Sequence, residues 1–348
     1  MTIYSDFNGA NIKVCMKDGN VVYLNSDMRD SSGDWFYWAF AAEGDAGECI
    51  RFKFPKDRVG YFGPAVSHDL ENWKWLGKTD REDEFSYTFA ESEGRVYFAH
   101  HILYPEHRIY DLMDRYGIDK QTLCTSRRER AVPFFKIGNG ERKIMLTARH
   151  HACESTGSYV LEGIVSALLE KPIPDTTLIV VPFVDYDGYV DGDQGKNRTP
   201  HDHNRDYDPT KEAIHPETAA IRRIAEAEAI EYAFDFHSPW HKGGGNDYSF
   251  IVRKSEAESL KRFGRLLSDS LTDSAFKYTH EQDIAPGVEW NNPSLPTYAR
   301  FMLDTVKAEI AFTLETAYFG KENNVASATG FLELGRCFAT ALKKYMEK

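Results

Sequence analysis

The chain is short of basic residues, has no paired cysteines and lacks any long apolar run, and each shortage excludes something. Lys and Arg number 42 against 54 Asp and Glu, a formal net charge of −12 over 348 residues. A protein of that sign repels a phosphate backbone or an anionic lipid headgroup at long range, so neither nucleic acid nor membrane is expected as a partner. The five cysteines (Cys15, Cys49, Cys124, Cys153, Cys337) are odd in number and scattered, and none forms a Cys-x-x-Cys pair. Neither a disulfide framework nor a thiolate zinc site can be read from them, and a reducing compartment is the better expectation. The start, Met1-Thr2-Ile3-Tyr4-Ser5-Asp6, has no basic stretch leading into an apolar one. The longest apolar run, around 178–184, is far too short for a bilayer. These signs together predict a cytoplasmic protein.

What is present is an ordinary globular composition, 42% hydrophobic and 28% charged, which excludes disorder, collagen and coiled coil. The length suggests about two domains. The first 117 residues read as antiparallel β structure. Apolar stretches at 12–16 and 20–24 flank Asp18-Gly19, a strong hairpin signal, and similar runs follow at 35–40, 51–54, 85–89 and 95–100. Short strands at this spacing predict a β-sandwich. Four of the six tryptophans (Trp35, Trp38, Trp73, Trp75) lie there; they suit a carbohydrate-binding face, but packing is the more common use of such residues. From residue 118 to 348 the period changes. Strands at 143–147, 177–184, 232–236, 248–252 and 310–314 alternate with helices at 155–170, 216–231, 256–271 and 328–346. That alternation predicts an α/β domain with a mostly parallel mixed sheet flanked by helices.

The histidines are unevenly placed: seven of the 12 (His150, His151, His201, His203, His215, His237, His241) fall between residues 150 and 241. One strand, 143–147, runs into a polar tip, Arg149-His150-His151-Ala152-Cys153-Glu154, and strand ends are where open α/β sheets build their sites. His151 and Glu154 are close enough in sequence to ligate one metal. His237 ends a second buried strand 83 residues beyond Glu154. Two near ligands and one distant one leave a coordination position open, as catalytic zinc requires. A histidine pair at a strand end also suits plain hydrogen bonding, so the pattern does not decide between the two. Glu315, at the tip of a third apolar run, is either a solvated glutamate or a partly desolvated general base. The loop His201-Asp202-His203-Asn204-Arg205-Asp206, preceded by Gly195-Lys196-Asn197-Arg198, is polar enough for a site wall or a surface turn.

His151-Ala152-Cys153-Glu154, Asp187-Gly188, Asp202-His203-Asn204-Arg205, Asp235-Phe236-His237-Ser238 and Phe312-Thr313-Leu314-Glu315 occur in the order and strand context of the zinc metallocarboxypeptidases, and the chain resembles that superfamily. The β module ahead of residue 118 resembles the domain that precedes the catalytic unit in the cytosolic carboxypeptidases, a branch with tubulin deglutamylases and shorter bacterial members. The resemblance implies that His151, Glu154 and His237 hold one Zn²⁺, that Glu315 is the general base and that Asp202 orients His151. It further implies that Asn204 and Arg205 clamp a substrate's terminal carboxylate and that Arg198 polarises the scissile carbonyl. Arg300, 15 residues before Glu315, would favour acidic side chains, and Tyr298 would cap the substrate. Ser238-Pro239 is a candidate cis bond. The implied activity is removal of a C-terminal amino acid, glutamate or another acidic residue, from a peptide or protein. The alternatives are a zinc-dependent deacylase of N-acyl amino acids or peptidoglycan-type peptides, and an inactive binding module.

Overall fold

In the computed structural model, which describes residues 1–271 and 276–347, the amino-terminal strands form two facing sheets. One runs Thr2–Tyr4, Ala39–Glu43, Val96–Ala99, Ala65–Ser67, Lys74–Trp75. The other runs Lys13–Asp18, Val21–Asn25, Cys49–Lys53, Glu84–Thr88. The hairpin falls where Asp18-Gly19 predicts it, with Gly19 at φ +57°. Alternation puts Val22, Leu24, Phe52 and Phe85 of one sheet against Phe40 and Phe98 of the other in a single buried cluster. One pair departs from the antiparallel expectation: Val21–Asn25 and Cys49–Lys53 are parallel. Between them the chain crosses to build Ala39–Glu43 in the facing sheet, so it re-enters in the same direction. The tryptophans pack rather than display a face. Trp38 is fully buried beside Phe54, and the Trp75 indole donates to the Ala326 carbonyl at 2.8 Å.

The remaining chain builds a seven-stranded mixed sheet in the order Gln121–Thr125, Ala131–Ile137, Thr176–Val181, Arg142–Ala148, Tyr232–His237, Ile310–Glu315, Phe250–Val252. The four strands from Thr176–Val181 to Ile310–Glu315 are parallel, and the flanking pairs are antiparallel. Thr156–Glu170, Pro216–Ala227, Glu258–Ser270 and Ala328–Met346 are the main helices. Two of them touch through glycine: a Cβ on Gly163 would lie 2.2 Å from the Leu332 carbonyl oxygen, and one on Gly335 2.2 Å from that of Val160. The hairpin Gln121–Thr125/Ala131–Ile137 escapes the sequence reading because Pro133 argues against an interior strand. Pro133 is tolerated because Ala131–Ile137 pairs with Thr176–Val181 only from Phe135 onward. The expected cis bond at Ser238–Pro239 is trans; the cis X–Pro bond among the described residues is Thr199–Pro200. No helix among the described residues is long and apolar enough to cross a membrane.

Parallel register sets up the site. His237 stands directly across from Glu315, and Ala148 across from Phe236, so three neighbouring strands end together.

Candidate metal centre

After Ala148 the chain turns sharply, with Arg149 in the left-handed region at φ +64°, a conformation that a non-glycine residue keeps only when its surroundings hold it. They do so here: the buried Arg149 guanidinium donates to the Ala152 carbonyl (2.5 Å), the Tyr104 carbonyl (3.3 Å) and Ser158 Oγ (2.9 Å). The clamped turn presents His151 and Glu154 to one point. His151 Nδ1 lies 2.8 Å from Glu154 Oε1, and His237 Nδ1 lies 2.7 Å from Glu154 Oε2. One donor atom from each residue falls within 4.8 Å of the others.

The outer nitrogens face carboxylates. His237 Nε2 is 2.6 Å from Asp235 Oδ2, and His151 Nε2 is 3.6 Å from Asp202 Oδ1. A carboxylate there holds a proton on Nε2 and makes Nδ1, the inward nitrogen, the atom that would serve as ligand once it is deprotonated. Glu154 Oε2 is buried and accepts no hydrogen bond although a ring nitrogen abuts it. The two Nδ1 atoms converge on the Glu154 carboxylate, whose Oε2 is unbonded and whose Oε1 lies 2.8 Å from His151 Nδ1; a divalent cation would take the place of an inward ring proton there, and a His₂Glu set with an open side suits zinc. His150, by contrast, is spent on hydrogen bonds: Nδ1 lies 2.8 Å from Asp235 Oδ1 and Nε2 2.8 Å from the Tyr207 hydroxyl. His201 likewise sits 2.8 Å from Asp206, whose oxygens accept the Ile214 and His215 amides and shape the loop.

Glu315 is buried beside this cluster, and its Oε2 accepts no hydrogen bond. Burial, with the Glu154 charge adding to it and His237 opposing, pushes its pKa up to about 7. A cavity of about 60 Å³ joins His151, His237 and Glu315 to Asn204, Arg205 and Lys254. Arg205 donates to the Asn204 carbonyl at 3.1 Å and has no carboxylate within salt-bridge distance among the described residues. Asn204 Oδ1 accepts the Tyr298 amide at 3.1 Å, and its Nδ2 lies 3.4 Å from His237 Nε2. Burial acts to raise the Asp202 pKa, but His151 and Arg205 hold that carboxyl well below the usual range.

Three residues singled out from the sequence do not reach the cavity. The Arg198 guanidinium is drawn away by Asp185 (2.7 Å), Asp193 (3.1 Å) and Asp30 (3.5 Å). Arg300 is half-exposed, paired with Asp304 and donating to the Pro293 carbonyl at 2.8 Å. Tyr298 is wholly buried, its ring packed between His150 and Tyr207 instead of over the cavity mouth.

Conversely, Asp235, Lys196 and Lys254 stand at the site although the sequence patterns above do not single them out. Asp235 carries a local signal, since it and His237 are two apart on a strand and share a face. Lys196 lies inside the polar loop, two residues from Arg198, which has the more specific carboxylate-pairing chemistry. Lys254 follows the edge strand, and only the fold brings it to the cavity, where burial and then Arg205 lower its pKa to about 8. Its ammonium donates to Asn291 Oδ1 at 2.8 Å.

No family model matches the sequence. The chain is 25% identical over 308 residues to an uncharacterised protein of Zymomonas mobilis, covering 81% of this chain and 80% of that one. It is 24% identical over 379 residues to cytosolic carboxypeptidase 6 of Caenorhabditis elegans, covering 90% of this chain and 79% of the relative. Its fold matches the crystal structure of a metallo-carboxypeptidase from Burkholderia cenocepacia with a TM-score of 0.81 at 18% identity, over 99% of this chain and 98% of the other.

Proposed function

We propose, on the premise that the chain belongs to the zinc metallocarboxypeptidase superfamily and to its cytosolic-type branch, that it is a metal-dependent carboxypeptidase releasing one residue, preferably acidic, from a peptide or protein C-terminus. The observation that carries this reading is the meeting of His151, Glu154 and His237 with Glu315 and the carboxylate-free Arg205 around one cavity. In this reading His151, Glu154 and His237 hold one Zn²⁺, which when bound supplies Lewis acidity and makes water a nucleophile near neutral pH.

The chain's own groups do the rest. Glu315 takes a proton from the attacking water and returns it to the leaving amine, and a pKa near 7 suits both transfers. Arg205 offers a planar fork for bidentate pairing with the terminal carboxylate, with Asn204 beside it. Only a chain end presents a free carboxylate at that place, so the clamp restricts cleavage to the last residue. Asp202 and Asp235 hold the two ligand rings in orientation. The preference for an acidic side chain draws support from Lys254, a second cation on the cavity wall, in place of Arg300.

The test is Glu315→Gln with zinc content measured alongside turnover of Glu-tailed peptides, Ala-tailed peptides and N-acylglutamate. The expected outcome is one zinc per chain, a loss of turnover of about 1,000-fold or more, and a preference for the Glu-tailed peptide. Retained turnover would remove Glu315 from the mechanism. Cleavage confined to N-acylglutamate would make the protein a deacylase.

A further inference from the structure

We infer that Lys196 is the cation that pairs with the oxyanion of the scissile carbonyl, and that the β module serves to hold it in place. The inference rests on the carboxypeptidase reading and adds to it a residue and a reason for the amino-terminal sheets.

Four observations converge on Lys196. Its ammonium lies 2.5 Å from Glu154 Oε1, at the edge of the ligand cluster, while the residue is 7% exposed. It also lies 5.0 Å from the centre of the Trp35 ring and 5.7 Å from that of Phe36, both from the β module. Such rings stabilise a desolvated cation and bar it from solvent. The loop that carries it is pressed onto the ligand loop. Gly195, at φ +74°, approaches so closely that a Cβ would lie 2.2 Å from the Ala152 amide nitrogen. Finally, the β module grips the loop backbone on both sides of Lys196. Asp30 accepts the Gln194 and Gly195 amides at 3.0 and 2.8 Å, Ser31 Oγ donates to the Lys196 carbonyl, and the Ser32 amide donates to the Asn197 carbonyl at 3.2 Å.

Arg198 cannot take this part while three carboxylates hold it. Among the described residues Lys196 has one carboxylate within salt-bridge distance, Glu154, and that partner is itself a candidate ligand. With Glu154 committed to a cation, the ammonium is left with charge to share beside the place where the carbonyl oxygen becomes negative. As the water oxygen adds to the carbonyl carbon, the C=O π pair moves onto oxygen, and Lys196 donates a hydrogen bond to it without giving up its proton. Collapse of that oxyanion expels the amine, which takes its proton from Glu315. A preorganised donor in a water-poor site is worth most when aimed at charge that develops only in the transition state.

The experiment compares wild type, Lys196→Gln and Lys196→Arg by three readouts: zinc per chain, kcat and KM on a Glu-tailed peptide, and calorimetric affinity for two probes. One probe is a phosphinic pseudopeptide ending in glutamate, which carries a tetrahedral oxyanion; the other is free glutamate, which does not. K196Q is expected to keep its zinc and its affinity for glutamate, to lose about 100- to 1,000-fold in kcat with little change in KM, and to weaken phosphinate binding by a similar factor. K196R should recover part of both losses, since it restores the charge. Undiminished phosphinate affinity in K196Q overturns the assignment, and so does loss of zinc, which would make Lys196 a support for Glu154. Should K196Q fail to fold, Lys196→Met takes its place under the same criteria: zinc kept with phosphinate affinity and kcat lost supports the assignment, and zinc loss or undiminished phosphinate affinity overturns it. A wild type that binds neither zinc nor phosphinate fails at the carboxypeptidase reading, a result distinct from a wild type that binds both while K196Q does too.

Discussion

A carboxylate two positions before a histidine on a buried strand decides what that histidine can do. Asp235 is wholly buried, and burial alone would favour its neutral form, yet His150 and His237 hold it ionised well below the usual carboxylate range. It therefore presents acceptor oxygens to both rings and to Thr147 Oγ1 at 2.8 Å. For His237 the consequence is an Nε2–H held toward Asp235, which leaves Nδ1, on the Glu154 side, as the nitrogen that would meet a cation. Asp235→Asn can turn an amide N–H toward Nε2, favouring the proton on Nδ1, where a cation would have to displace it. We expect zinc affinity to fall by about 10- to 100-fold, read by chelator competition, with the melting temperature of the metal-free protein changing much less. Unchanged affinity would mean that Asp235 serves His150 alone. Residue-scale chemistry of this kind also separates His150 from His151, adjacent in sequence and opposite in use: one has both nitrogens bonded within the core, the other meets Glu154 at the cavity.

At the scale of elements, the far edge of the sheet shows how a short strand is fastened. Phe250–Val252 pairs with Ile310–Glu315 on one side and on the other is bridged to Ile284, whose amide donates to the Ile251 carbonyl at 2.9 Å, while the Ile251 amide donates to Asp283 Oδ1 at 2.8 Å. Tyr278 donates to the same carboxylate at 2.8 Å. Burial outweighs these bonds and lifts the Asp283 pKa to about 7. Because the folded-state value is raised, the folded protein holds this proton more tightly than the unfolded chain. Its contribution to stability is complete below about pH 4, the unfolded value, and is lost as pH rises through about 7. Asp283→Asn keeps the acceptor and removes the titration. The variant should therefore flatten the fall in unfolding free energy between pH 5 and 8, a difference of up to about 3 kcal/mol, read from denaturant midpoints across that range. Parallel pH profiles for the two proteins would show that Asp283 is hydrated in the folded state.

At the scale of the whole molecule, the β module and the α/β unit meet through the loop 193–198, and the strength of that joint is testable. Asp30→Ala removes both amide contacts at the base of the Lys196 loop. We expect lower kcat with zinc content unchanged, and a smaller effect than K196Q because Trp35, Phe36 and Ser31 remain; wild-type kcat would show that the loop holds its shape unaided. The distribution of charge also takes on meaning only at this scale. A chain with net charge −12 gathers Arg205 and Lys254 on one cavity wall, so an acidic chain end can be met locally by cations despite repulsion from the rest of the surface. By itself the sequence determined the elements whose patterns are local: the Gly19 hairpin, the parallel strands, the long helices, and the strand ends where His151, Glu154, His237 and Glu315 stand. Periodicity and turn chemistry act within a few residues, so they survive in a one-dimensional reading. Tertiary structure alone decided which basic residues stand at the site. Arg198 and Arg300 carry the right charge but are held away from the cavity by carboxylates, while an edge strand brings Lys254 to the cavity wall and a loop pressed by the β module brings Lys196 to Glu154. A side chain's partner is whatever the fold places within a few ångströms, and for a long cation on a loop no local pattern encodes that.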